Sequence, residues 1–230
     1  MKKRKSSYLW WLIAPTYKLA ELKKLNLVSK NASKESISYA LKLYNKRYLF
    51  ASIIFAVAAQ LLVSLGNYLY PPGGFYTGEY VKWIFTAAVI FICWLYLFSR
   101  AVEICKAFLE DAIEKLNDEE PISNLKYGER LQLSLKSYIE LIINFGTIYF
   151  LAPATFYKGE NGYEFNSIIE AIYFSGVTIT TLGYGDISPS NWLLQLLTVF
   201  QVIVGFSLIV VAFAIYSSLA LSKTTRPSSE

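Results

Sequence analysis

The distribution of charge constrains this chain more than any other feature. Residues 187–222 run for 36 positions without Asp, Glu, Lys or Arg. Residues 83–99 and 141–157 are charge-free runs of 17, bounded by Lys82 and Arg100 and by Glu140 and Lys158. Residues 49–64 open a fourth run that continues past 69. A helix needs about 20 apolar residues to cross a bilayer, with a range of roughly 17–25. Single segments in lipid must satisfy their backbone internally, which leaves the helix as their form. The pattern predicts four spanning helices, near 47–69, 81–101, 136–157 and 193–217. Composition agrees: 54% of the chain is hydrophobic and only 17% charged, against about a quarter in soluble domains.

Lys and Arg set the orientation. Twelve of them fall in residues 1–49, against Glu21 and Glu35, so the positive-inside rule places this end in the cytoplasm. The loop around 71–74 is then outside, 102–135 inside, 158–192 outside and the tail after Lys223 inside. The chain reads as a multi-pass protein of the plasma membrane with both termini cytoplasmic. The basic end abuts an apolar segment, so its expected partner is an anionic membrane surface and not nucleic acid. Residues 8–14 are too short and lack the cleavage site of a signal peptide; they read as an interfacial anchor. In 34–48, Ile37, Leu41, Tyr44 and Tyr48 share a helical face, suited to the membrane interface or to the protein's own underside.

Helical spacing of Ala101, Cys105, Phe108, Ala112 and Leu116 extends the second span through about 117. Acidic residues crowd its other side and end, from Glu110 to Glu120, and read as a solvated face. Asp118 and Glu129 have the spacing of first and twelfth calcium-loop ligands, but Ser123 stands where that loop requires Gly. Cys93 and Cys105 suggest neither a disulfide framework nor a metal site.

The 158–192 stretch is more than a hairpin. Residues 168–177 are apolar but number ten, too few to cross, and predict a re-entrant helix capped by Asn166 or Ser167, with Glu170 in its first turn. Immediately after it, residues 178–186 read Thr-Ile-Thr-Thr-Leu-Gly-Tyr-Gly-Asp. Successive carbonyls of an ordinary strand alternate sides. Turning several to one side requires unusual dihedrals, which Gly183 and Gly185 adopt without steric penalty. Leu182 and Tyr184 can then turn outward and wedge against the short helix, and Thr181 adds a hydroxyl at the inner end. Rings of carbonyls of this kind replace the hydration shell of a potassium ion. Asp186 would sit at the outer mouth, where a carboxylate attracts cations. The re-entrant helix would aim its carbonyl end, which carries about half a negative charge, at the same place.

This run, in its setting between a short apolar helix and a long one, resembles the signature of the potassium channel pore-loop family. The resemblance covers about 136–221. It implies an all-α membrane protein with four transmembrane helices, one re-entrant pore helix, an extended selectivity filter and a homotetrameric pore, in which three further copies complete the ring. It implies potassium ligation by the carbonyls of Thr181, Leu182, Gly183 and Tyr184, with the Thr181 hydroxyl, supported by Thr180, Gly185 and Asp186. Gly205 stands where the family often has a hinge glycine, and Phe206, Ile209 and Phe213 where it lines the inner cavity. Close helix packing for Gly205 and lipid or helix contact for the other three are the competing readings. Potassium is the permeant ion, and no cofactor is implied. Leu182 replaces the commoner Val or Ile. Val177 stands where some relatives carry a Glu that pairs with the filter Asp, so Asp186 needs another partner or stays hydrated.

The expected organisation is a basic segment 1–47, two peripheral spans with a helical extension in 48–135, a pore domain in 136–222 and a tail in 223–230. Neither early span carries the regularly spaced Arg of a voltage sensor, and no nucleotide- or calcium-binding domain is expected in the tail. The function implied is passive, potassium-selective conduction that is not strongly voltage-gated. A weakly selective cation channel, a transporter subunit and a non-conducting regulatory subunit are the alternatives. With no histidine, no phosphate loop and no acid pair in a plausible site, enzymatic chemistry has no support.

Overall fold

A computed structural model describes residues 14–29, 32–69, 79–117, 123–159, 162–209 and 221. Six α-helices are present among them: α1 (Pro15–Ser29), α2 (Lys34–Leu69), α3 (Glu79–Leu116), α4 (Tyr127–Phe150), α5 (Ile168–Ile179) and α6 (Trp192–Ser207). A 3-10 turn, Ala154–Phe156, follows α4. Among the described residues there is no strand, only an isolated bridge between Tyr157 and Pro189.

Local chemistry sets the ends of these helices. Pro15 opens α1, where its missing N–H leaves no bond unmade. Ser33 caps α2 by accepting from the Ser36 amide at 3.2 Å, and Glu129 reaches back to the Lys126 amide at 2.9 Å to start α4. Asn191 caps α6 through the Leu193 amide at 2.9 Å. Pro153 cannot continue α4, so the helix stops at Phe150. The third predicted span, drawn to 157, is therefore too long at that end, where its last residues form the 3-10 turn. The helix starts earlier instead, at Tyr127, and its 24 residues extend roughly 36 Å.

The amphipathic 34–48 segment and the first predicted span are one unbroken helix of 36 residues. Within it, Lys34–Gly66 is long and apolar enough to cross a membrane by length and composition. The second predicted span and its extension are likewise one helix, α3. Helices α5 and α6 are shorter apolar helices, and α6 leads into a widened turn at 208–209. The stretches at 1–13, 71–74, 118–121 and 210–217 lie outside the described residues.

The chain divides into two compact units. The first comprises Met1–Leu49, Phe98–Ile139 and Val204–Glu230. Thr16 bonds Ser99, Ser38 accepts from the Asn124 amide, and Asn45 donates to Ser137. Lys42 pairs with Glu129 at 2.5 Å, Arg100 with Glu103 at 2.6 Å. Arg130, almost fully buried, joins Asp111, Ser123 and the Leu125 carbonyl. On the 34–48 face Ile37 is buried against the protein itself, Tyr44 and Tyr48 are half-buried and Leu41 is exposed. The acidic side of α3 is not simply solvated either. Asp111 serves Arg130, and Glu110 lies near the Tyr17 hydroxyl and Lys106.

The second unit comprises Phe50–Leu97 and Glu140–Ile203. Its centre is Leu141, Phe145, Ile148 and Tyr149 of α4 with Leu194 and Gln201 of α6, all buried. Helices α4 and α5 touch where Gly146 faces Ile172: a Cβ at position 146 would lie 2.8 Å from the Ile172 Cα. Alanine in place of a helical glycine ordinarily stabilises by about 1 kcal/mol. At this backbone contact Gly146→Ala should instead destabilise by about 1–3 kcal/mol. A lowered thermal midpoint of the detergent-solubilised protein checks this, and a raised one would mean that α4 and α5 separate without penalty.

Candidate functional site

Helix α5 runs from Ile168 to Ile179, two residues longer than the apolar run predicted, and Ser167 is its cap, accepting from the Glu170 amide. Glu170 lies in the first turn as expected. It also accepts from the Asn166 amide at 2.8 Å and from the Tyr163 hydroxyl. The bond from Tyr163, with those from Asn166, holds the Glu170 carboxyl below the ordinary carboxylate value against an opposing desolvation. The same bond, chiefly, pushes the Tyr163 hydroxyl up to about 12.

The other end of α5 delivers the chain into the candidate site. The amides of Thr181 and Leu182 donate to the carbonyls of Thr178 and Val177, both at 3.0 Å, and the Gly183 amide approaches the Val177 carbonyl at 3.5 Å. This is the Schellman pattern, which places the second residue after the helix in the left-handed region and usually employs Gly there. Here that residue is Thr181, at φ 61°. A β-branched side chain with positive φ is a true outlier, costing about 1–2 kcal/mol. The Thr180 hydroxyl donates to the Gly176 carbonyl at 2.7 Å and reinforces the cap.

Positive φ recurs at every second residue: Thr181 at 61°, Gly183 at 52° and Gly185 at 81°. Leu182 and Tyr184 between them stay at negative φ. In a trans peptide the carbonyl of one residue points opposite to the N–H of the next, and no peptide among the described residues is cis. Because the amides of 181, 182 and 183 point at the end of α5, the carbonyls of Thr180, Thr181 and Leu182 point away from it. The backbone presents its donors to the helix and its acceptors to the opposite side. Every residue from 180 to 186 is exposed.

Tyr184 lies along Tyr173 of α5, with ring centroids 6.5 Å apart and planes 12° from parallel. It is 66% exposed and Leu182 62%, so within one chain Leu182 does not wedge against the helix. Asp186 lies near the Tyr173 hydroxyl, and desolvation followed by the Asp186 charge raises that phenol's pKa. This is a neighbour the sequence left unnamed when Val177 replaced the family's Glu.

Behind α5 lies a buried polar chain. The Gln201 amide donates to the Ser175 carbonyl at 3.0 Å and to its hydroxyl at 2.7 Å. Its own oxygen accepts from the Tyr149 hydroxyl at 2.7 Å, and the Tyr149 carbonyl accepts from the Tyr157 hydroxyl at 2.8 Å. Helices α4, α5 and α6 are thereby pinned together. Sequence reasoning missed Tyr149, Tyr173, Ser175 and Gln201. The available signal was Gln201 itself, an amide within the long charge-free run, because polar side chains in such runs bond across helices.

Gly205 is buried within α6, whereas Phe206 and Ile209 are 63% and 45% exposed. Phe213 lies outside the described residues. No group of three or more potential metal-ligating side chains occurs among the described residues, and Glu129, weighed for a calcium loop, is engaged with Lys42 and Lys126.

Two outcomes are expected. Thr181→Gly should remove the left-handed strain and raise the thermal midpoint by the equivalent of about 1 kcal/mol; a lower midpoint would mean that the Thr side chain contributes more than the strain it imposes. Because the Glu170 carboxyl is held below its ordinary 4.5, its stabilisation is present above that pH and lost as pH falls through the folded value. Amide exchange at Asn166, corrected for intrinsic rates, should therefore accelerate between pH 6 and 3, and Glu170→Gln should abolish that dependence.

Residues 137–221 match a family model described as "Ion channel". A hyperpolarization-activated voltage-gated potassium channel of Methanocaldococcus jannaschii is 31% identical over 121 residues, covering 50% of this chain and 55% of the relative. A putative potassium channel protein of Bacillus subtilis, YugO, is 34% identical over 87 residues, 37% of this chain and 24% of its own length. Two-pore potassium channel 2 of Arabidopsis thaliana is 46% identical over 39 residues, 17% of this chain and 9% of its own. The chain thus spans about half the length of the archaeal relative and less of the others. No solved structure matches. The segment 137–221, which holds the run Thr178–Asp186, is thus similar to an ion channel family and to stretches of known potassium channels.

Proposed function

We propose that this chain forms a potassium-selective channel, a homotetramer in which four copies of residues 180–186 surround one axis. The observation that carries the reading is the division of the backbone there. Amides of 181–183 are spent on α5, and the carbonyls of 180–182 face away from it with every residue exposed. An exposed row of acceptors whose donors are already bonded is the equipment needed to replace water around a cation. The ligands are the carbonyls of Thr181, Leu182, Gly183 and Tyr184 with the Thr181 hydroxyl. That hydroxyl gives a reason for a strained Thr where Gly would be easier, since strain persists where a functional side chain requires it. Asp186 attracts cations to the mouth, and Thr180 and Gly185 hold the run in shape.

The fourfold ring also accounts for surfaces that one chain leaves open. Tyr184, Leu182, Phe206, Ile203 and Leu196 are each more than half exposed, as expected of groups that neighbouring copies or a pore will face. Gly205 serves as hinge or packing point, and Phe206, Ile209 and Phe213 line the cavity. Four spans cross the bilayer, with the basic N-terminal segment and the C-terminal end in the cytoplasm and anionic lipid beside 1–47. Conduction is passive and requires no catalytic group. The archaeal relative's name includes voltage gating, but in this chain α2 and α3 place no regular Arg series within their apolar stretches, so steep voltage dependence is not expected.

Flux from liposomes holding the purified chain tests the reading. Potassium and rubidium should pass, sodium should barely pass, and barium should block; equal sodium flux would leave a nonselective pore. Tyr184→Asp should relax the selectivity, and retained discrimination would mean that this run is not the sieve.

A further inference from the structure

The first turn of α5 is held from outside the matched segment. The Gln60 Oε1 on α2 accepts from the Ile168 amide at 2.7 Å, across 108 positions of sequence. Its Nε2 donates to the Ser64 hydroxyl at 3.1 Å, which fixes the amide orientation. Ile168 is the first residue of α5, so its N–H is one of those a helix start leaves unpaired. Ser167, the local cap, serves the Glu170 amide instead and at a longer 3.4 Å. A half-buried amide in an apolar helix has a desolvation cost unless it finds partners, and Gln60 finds both of its partners here.

We propose that Gln60 is a positioning residue for the filter, and that α2, which stands outside the 137–221 pore segment, thereby controls how often the filter conducts. The inference rests on the channel reading above. Helix α5 is a rigid rod of 12 residues with the filter amides bonded to one end and Gln60 bonded to the other. Movement of α2 along or away from α5 changes where the first turn sits. A rod bonded at its far end to residues 181–183 passes that displacement to the backbone whose carbonyls face the ion. The first span is therefore a handle on the filter as well as a lipid-facing wrap.

The test uses the full chain, reconstituted, with Gln60→Leu, Gln60→Glu and wild type compared by single-channel recording and by amide exchange. Gln60→Leu removes the acceptor but suits an apolar helix, so folding is retained. Its open probability should fall roughly two- to thirtyfold, the population change that loss of one helix cap produces. Unitary conductance should stay unchanged, and exchange at Ile168 should accelerate. Gln60→Glu keeps an acceptor and adds a charge that the helix start favours, and it should restore both readouts. Unchanged exchange at Ile168 in Gln60→Leu, unaltered open probability, or a Gln60→Glu protein that behaves like Gln60→Leu would each overturn the proposal. A wild-type chain that passes no potassium would overturn the channel reading, and gating by α2 with it. Faster exchange at Ile168 in Gln60→Leu would then still establish the cap.

Discussion

A peptide group has a donor on one side and an acceptor on the other, and the site depends on which side is already used. The end of α5 leaves carbonyls without helical partners. The amides of residues 181–183 take up those of Thr178 and Val177. Once they do, the geometry of the trans peptide fixes where the intervening carbonyls go. The acceptor row is thus the other face of a helix cap. The same bonds restrict the strand, since each bonded amide removes a rotation.

Low dielectric makes such bonding compulsory elsewhere in the second unit. The interior Gln201 would be costly in an apolar core if left unpaired. It is instead shared between Ser175 and Tyr149, so that α4, α5 and α6 meet at one amide. Gln60 performs the corresponding task at the start of α5. A short apolar helix of this kind makes few backbone bonds of its own, and side chains from three other helices hold it in position. Tight packing adds to this where Gly146 meets Ile172.

Much of this was legible in the sequence because it depends on periodicity and residue type. The charge-free runs marked helices, Ser167 and Glu170 marked the start of α5, and Gly183 and Gly185 marked the left-handed positions. Boundaries that depend on a single competing residue were less legible: Pro153 ends α4 seven residues before the apolar pattern runs out at 157. Continuity was also hidden, since a change from amphipathic to uniformly apolar at about residue 48 looks like a junction but is the same helix. The left-handed Thr181 could not be read at all from propensity, which argues against a β-branched residue there. It follows from the Schellman cap, a local arrangement of backbone bonds, and Thr tolerates the position because those bonds impose it. The partners of Gln60 and Gln201 were hidden for the reason that governs most buried polar contacts: sequence shows that a partner is needed, and only the fold shows which.

Tyr173 illustrates how one substitution in a family pattern redistributes its neighbours' work. Where some relatives of the pore-loop family set a Glu against the filter Asp, this chain has Val177, whose side chain can neither donate nor accept. Asp186 lies instead near the hydroxyl of Tyr173, whose ring also lies along that of Tyr184. A single side chain of α5 therefore lies along the aromatic member of the run and feels the charge of its acidic residue. Two carboxyls in contact must share a proton or repel, so their hold on each other varies as they titrate. A phenol donates a hydrogen bond to a carboxylate without competing for a proton until strongly alkaline pH. On the channel reading, the outer end of this filter is held by ring stacking, and its acidic residue faces a neutral phenol in place of a second carboxyl.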